Sequence, residues 1–352
     1  MVPTSQIAWR NRQRLERAKR LLLIGPDADE LPSSLIRCGH EVEVLSLSHG
    51  VHCRLSAAGC PSQFSLQPAS PDSYDGVIVF QPREKALLAL LLVLGASQLR
   101  PNAPLWLAGE NRAGIKSAGS SLGSLFREWR KLDSARHCTL FEALGPTSEA
   151  PFAIQTFLKK WPLVVSGNSL TICGLPGVFA QGRVDAGTKL LIDTLLEQGS
   201  RLKFGGRVLD FACGPGTIGL GLAAAGFEIS LTLLDDSLPA IESARLSMAE
   251  NRVEGQLVAS DGLTALRDSR AGRFDWIVSN PPFHSGIRQS FDTVRRFLAD
   301  APAVLARGGR LCLVANAHLA YGKWLSELFS SVQVIAADQG YNIWLASGPV
   351  GH

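Results

Sequence analysis

A chain of 352 residues with 46% hydrophobic and only 19% charged residues can bury a sizeable core, which excludes a disordered protein and suggests two domains. The formal net charge of +4 is compatible with a nucleic-acid partner without requiring one. The longest apolar run, Ala86–Gly95, is far short of the ~20 residues of a spanning helix, Met1–Trp9 carries no apolar signal core, and seven scattered cysteines suit reduced thiols, so a soluble, cytoplasmic protein without membrane contact is expected.

Residues 10–20 carry Arg10, Arg12, Arg14, Arg17, Lys19 and Arg20 against one acid, Glu16. Such a run is either a solvated helix face leading into the first strand or a contact to RNA phosphates. Leu21–Ile24 followed by Gly25-Pro26 reads as strand and turn, Leu31–Cys38 as a helix and Glu41–Leu47 as a strand. Residues 48–75, rich in Ser, Pro and Gly, read as loops. His49, His52, Cys53 and Cys60 fall there at spacings that match no standard zinc pattern, so no metal is expected. Asp75–Phe80 reads as a strand, Glu84–Leu94 as a helix and Pro104–Ala108 as a strand. This half alternates strand and helix in doubly wound style. Its first strand ends in Gly25-Pro26-Asp27, which is no cofactor loop. The pattern suits an ancient duplicate of the second half that has lost its ligand site, or an unrelated α/β domain.

The first domain is placed at residues 1–150, a linker at 151–165 and the second domain at 166–352. Val164-Val165 and Leu170–Ile172 flank Ser166-Gly167 as a hairpin. Val184-Asp185-Ala186-Gly187-Thr188-Lys189 opens a helix ending near Gly199. Strands follow at Val208–Ala212, Ile229–Leu234, Gln256–Ala259, Trp276–Ser279 and Arg310–Ala315, with Val332–Ala336 and Tyr341–Ala346 closing the sheet as an antiparallel pair. Helices are expected at Pro239–Asn251, Ser290–Ala306 and Gly322–Phe329. The fold class is α/β, with two tandem doubly wound, Rossmann-like domains, the N-terminal one lacking a cofactor site.

The chain is organised around Val208–Thr217, an apolar run ending in Asp210-Phe211-Ala212-Cys213-Gly214-Pro215-Gly216. Strand, Gly turn and helix is how an open α/β sheet builds a nucleotide site at the carboxyl end of its strands. Gly214, Gly216 and Gly219 fit G-x-G-x-x-G, and Asp235 lies about 20 residues on, so a dinucleotide site is one reading. Asp275–Ser279 running into Asn280-Pro281-Pro282-Phe283 favours another. Hydride transfer has no use for that tetrapeptide, whereas methyl transfer from S-adenosylmethionine to a planar amine does. Asp235 suits the ribose diol, or else a helix cap. Asp261 suits the adenine amine, or a plain turn. Asp210 suits the cofactor amino group or the turn's own amides. Asn280 Oδ1 and the Pro281 carbonyl can accept the two N–H bonds of an arylamine and aim its lone pair. Phe283 offers a stacking face. No Pro-Cys dipeptide occurs, which argues against a covalent thiol adduct, and Cys213 reads as a small buried residue.

Over nearly its whole length the chain resembles the bacterial small-subunit rRNA guanine-N2 methyltransferases of the RsmC type. The resemblance rests on Gly109–Gly114, Leu132–Arg136, Leu175–Phe179, Asp185–Gly187, Gly272–Asp275, Ser279–Phe283 and Val314–Ala317. It implies that Gly177, Phe179, Asp185 and Gly187 also line the cofactor pocket, beside Ala212, Gly214 and Gly216. It implies a guanine of 16S rRNA as the target, flipped out of its stack, with the 30S subunit as partner and a monomeric enzyme. Relatives sharing Asn-Pro-Pro-aromatic leave other substrates open: a 23S guanine, adenine N6 or a release-factor glutamine. A non-catalytic RNA-binding scaffold is the remaining competitor. The family's turn carries Gly where Ala212 stands, a mild change if φ there is negative.

Overall fold

The computed structural model describes all residues except 69–73, 149–150, 268–272, 282–287 and 351–352, and no side chains at 288–291. The chain forms two compact units, 1–158 and 159–352.

In the first unit strands β1 (Arg20–Ile24), β2 (Glu41–Leu45), β3 (Ser62–Gln63), β4 (Gly76–Phe80), β5 (Leu105–Glu110), β6 (Phe126–Ala135) and β7 (Cys138–Pro146) form one sheet in the order β3-β2-β1-β4-β5-β7-β6. Only the β5–β7 and β6–β7 pairs are antiparallel. β4, and β1 after Arg20, are apolar because helices cover both faces of a parallel sheet. The helices are α1 (Pro3–Arg10), α2 (Leu31–Arg37), α3 (His49–Ala57), α4 (Lys85–Ser97) and α5 (Ala118–Leu125). Two expectations fail here. The basic segment is not a helix face, since α1 stops at Arg10 and only a 3-10 turn at Arg12–Arg14 follows. Residues 49–57 are helix α3, started by the Ser48 hydroxyl accepting the Val51 N–H at 3.2 Å.

The second unit opens with the hairpin β8 (Lys159–Val165) and β9 (Asn168–Gly174). Ser166 and Gly167 both have positive φ, as a tight right-twisted hairpin turn requires. β8 thus occupies half of the stretch expected to be linker. The main sheet consists of β10 (Gly206–Phe211), β11 (Ile229–Asp235), β12 (Gln256–Ala259), β13 (Phe274–Ser279), β14 (Leu305–Asn316), β15 (Phe329–Asp338) and β16 (Tyr341–Pro349). Their order is β12-β11-β10-β13-β14-β16-β15, the same permutation as in the first unit. Helices α6 (Ala186–Leu202), α7 (Thr217–Ala224), α8 (Leu238–Asn251), α9 (Thr264–Arg267), α10 (Arg288–Val304) and α11 (Tyr321–Ser326) complete it.

Period-two alternation along β10 divides the core. Leu209 and Phe211 face α10, where Phe211 stacks on Phe297 at 3.8 Å, and Val208 faces α6 and α7. The hairpin is held by a polar ladder on α8. Ser243, Ser247 and Asn251, four residues apart on one face, accept the backbone N–H groups of Leu175, Cys173 and Thr171 at 2.8–2.9 Å. These bonds satisfy a strand edge that lacks a neighbouring strand, and they anchor the chain that runs on to Asp185. Among the described residues no helix is long and apolar enough to cross a membrane, and all seven cysteines are free.

Candidate active site

Strands β12, β11, β10 and β13 are parallel neighbours, so the loops leaving their carboxyl ends emerge side by side. Phe211 lies opposite both Leu234 and Ser279, and the buried Ser279 hydroxyl donates to the Phe211 carbonyl at 2.7 Å. That bond staples the exit of β13 to the exit of β10.

The turn after β10 bends through left-handed residues: Ala212 (φ +56°), Gly214 (φ +56°) and Gly216 (φ +83°). The condition under which alanine would be a mild change at 212, a negative φ, is therefore not met. The turn has to reverse within one residue of the strand end, and Ala212 carries strain that glycine would not. Gly216 begins α7, and a Cβ there would lie 2.4 Å from Leu220 Cδ1. At Gly219 a Cβ would meet Leu233 Cδ2 at 2.6 Å, so its bare backbone is what lets α7 approach β10.

That approach serves Asp210. Its carboxylate is fully buried; Oδ2 accepts the Gly219 N–H at 2.9 Å, and Oδ1 has no partner among the described residues. Burial, with the charge of Asp235 adding to it, pushes its pKa up to about 7. Asp235 closes β11, where its two oxygens accept the N–H groups of Ser237 (2.9 Å) and Gly214 (3.0 Å). Burial raises its pKa to about 6. Asp261, expected beside the adenine, is ion-paired with Arg296 of α10. Cys213 is buried and its thiol is pushed well up by desolvation, the opposite of an activated nucleophile.

Asn280 follows β13 directly. Its Nδ2 donates to Asp185 Oδ2 at 3.2 Å and to Thr188 Oγ1 at 3.0 Å. Asp185 caps α6, and the same Oδ2 accepts the Gly187 and Thr188 N–H groups at 3.0 and 3.2 Å. A Cβ on Gly187 would lie 3.1 Å from both Asp185 Oδ2 and the Tyr341 ring. Val178 borders Gly214, Gly177 takes a left-handed turn (φ +91°), and Phe179 stands 57% exposed. Pro281 is buried, and Phe283 lies outside the described residues.

The structure thus joins Asn280 to Asp185, which the Gly187 N–H also holds, and joins Gly214 to Asp235. It leaves Phe179 unpacked and ties Asp261 to Arg296. Sequence reasoning missed Thr188, Arg296 and Ser279. A hydroxyl on the inward face of the first turn of α6 was the only signal for Thr188.

Residues 169–345 match the family described as Methyltransferase small domain, and residues 5–161 match Methyltransferase small domain N-terminal. Ribosomal RNA small subunit methyltransferase C of Shewanella halifaxensis is 35% identical over 343 residues, covering 97% of each chain. That of Shewanella loihica is 36% identical over 344 residues with the same coverage. Among solved structures, the T. thermophilus 16S rRNA N2 G1207 methyltransferase (RsmC), in complex with AdoMet and guanosine, superposes with a TM-score of 0.84 at 27% identity. The match covers 94% of this chain and 88% of that one.

Proposed function

The chain belongs to the ribosomal RNA small subunit methyltransferase C family, and from that premise we propose that it methylates the exocyclic N2 of a guanine in 16S rRNA, the residue numbered 1207 in the name of the T. thermophilus relative. One observation carries the reading: β10 and β13 are adjacent and stapled at their ends, so the Gly turn and Asn280 share one sheet edge. S-adenosylmethionine, when bound, supplies a methyl group on a positively charged sulfur. The residues present fit it. Asp235 keeps lone pairs for two ribose hydroxyls, the orphaned Asp210 Oδ1 suits a cationic or N–H donor, and the left-handed turn exposes backbone between them. Gly177, Phe179, Asp185, Gly187 and Ala212 would complete the wall, with Asp261 toward the adenine.

Asn280 Oδ1 and the Pro281 carbonyl would each accept one N–H of the guanine amine. The nitrogen lone pair, otherwise delocalised into the ring, then points at the methyl carbon. As the C–N bond forms, the methyl C–S bond would break and leave a neutral thioether, both dipoles would stabilise the positive charge growing on nitrogen, and one N–H proton would leave to water. On its place in the sequence, Phe283 is assigned to stack on the base.

The target is reached in the 30S subunit, in the cytoplasm, by a monomer. Free cysteines are in keeping with a reducing compartment. Residues 1–158 serve target recognition or support of the catalytic half, and residues 159–352 are catalytic. Incubating the protein with labelled cofactor and 30S subunits, 50S subunits or release factors tests this. Label in 16S rRNA at a guanine N2 is expected, and label only in 23S rRNA or in protein overturns it.

A further inference from the structure

A carboxamide has two ends of nearly equal size and opposite polarity. A half-turn about its last bond exchanges an acceptor for a donor with little change in shape. Asn280 is useful to an amine only if oxygen faces the substrate, and nothing within Asn280 makes that choice. The first turn of α6 does. Asp185 Oδ2 can only accept, and it is fixed by the N–H groups of Gly187 and Thr188. The group facing it at 3.2 Å is therefore NH2. Thr188 Oγ1, on a nearly buried side chain, takes Nδ2 at 3.0 Å. Both amide hydrogens are thereby committed, and Oδ1 has no partner among the described residues.

We infer that Asp185 and Thr188 are positioning residues that lock Asn280 as an acceptor and so restrict this site to amine-bearing substrates. The inference rests on the methyltransferase reading, and it moves Asp185 from cofactor contact to orientation of Asn280. Thr188 sits 92 residues before Asn280 in the chain, so the lock exists only in the folded unit. Freed of it, the amide populates the flipped state, which sets NH2 against the substrate NH2 and loses the hydrogen bond that orients the lone pair.

Four variants test this. Thr188→Val keeps the shape and removes the hydroxyl, and Thr188→Ser restores it. Asp185→Ala removes the other acceptor. Asp185→Asn keeps an oxygen both for the helix cap and for Nδ2. Turnover on 30S subunits, calorimetric cofactor affinity, guanosine affinity and thermal midpoint are measured for each. Thr188→Val is expected to lower kcat about tenfold and to weaken guanosine binding, the equivalent of one neutral hydrogen bond. Asp185→Ala is expected to lower kcat by roughly 100-fold, since a charged partner is lost. Cofactor affinity stays within about threefold throughout, Thr188→Ser remains near wild type, and Asp185→Asn, which keeps the cap oxygen but loses the charge and can itself flip, falls between wild type and Asp185→Ala. Wild-type kcat in Thr188→Val overturns the inference. So does parallel loss of kcat, cofactor affinity and stability that Thr188→Ser fails to restore, because a structural role would do that. If the wild-type protein leaves 30S subunits unlabelled, the functional reading falls instead, and guanosine affinity alone decides the orientation claim.

Discussion

The two sheets can be laid over each other strand by strand. In the first, Ile24 pairs with Leu45 and Val79; in the second, Phe211 pairs with Leu234 and Ser279. On that register Asp210 corresponds to Leu23, Asp235 to Ser46, Asn280 to Phe80 and Ala212 to Gly25. Asp210, Asp235 and Asn280 each meet a counterpart without a charge or an amide, while the strand order and the left-handed bend (φ +69° at Gly25, +56° at Ala212) are common to both. The segment beyond the bend after β1 is bonded to its own unit. Asp29 accepts the N–H groups of Val2 (2.7 Å) and Leu31 (2.9 Å), tying the turn to α1 and α2. The lesson is that the sheet provides the place and a handful of residues at the strand ends provide the activity.

Substituting toward the first unit tests that statement. The largest effect is expected at Asn280: Asn280→Ala should cost about 10²–10³ in kcat with cofactor affinity kept. Equal loss of turnover and cofactor affinity at Asn280 would mark it as structural. Asp235→Ser, which copies Ser46, should weaken cofactor binding roughly 10- to 100-fold by calorimetry, because a charge-assisted pair of bonds to the ribose is lost.

Asp210→Leu, which copies Leu23, addresses pH. The folded-state pKa values of about 7 for Asp210 and about 6 for Asp235 lie above the ordinary 3.8. The folded protein therefore holds these protons longer than the unfolded chain does. The resulting penalty is absent below about pH 4, grows as pH rises and is complete above about pH 7. Ligand-free wild type should lose stability relative to Asp210→Leu between pH 5 and 7.5 in thermal melts. A constant difference across that range would mean that Asp210 is ionised throughout.

Ala212→Gly, which copies Gly25, should stabilise the second unit by about 1 kcal/mol, raising its melting midpoint by roughly 2–4 °C. The smallest effect concerns the basic segment. If Arg14 and Arg17, both exposed, touch phosphate, the double alanine variant should lower the salt slope of 16S rRNA binding by about 2 and weaken it severalfold. An unchanged slope would leave them as solvated surface.

Some of the rest was unreadable for identifiable reasons. β6 carries Arg127, Glu128, Arg130 and Lys131 and is exposed from Arg127 to Lys131, because it is the edge strand of its sheet. Without an apolar alternation it gives no strand signal. α3 contains Gly50, two histidines and no apolar stripe, so only its Ser48 cap distinguishes it from a loop.

The sequence by itself determined the buried strands, the Gly turn, the acids that end the strands and the Asn-Pro-Pro-Phe motif. A parallel strand covered on both faces must be an apolar run, and the polar residue that stops it stands at the sheet edge. Only the tertiary structure decided the left-handed Ala212, the capture of Asp261 by Arg296 and the orientation of Asn280 by Asp185 and Thr188. Each of these depends on where a distant segment is brought. A hydrogen bond discriminates within a few tenths of an ångström, and no local pattern in the chain encodes that distance.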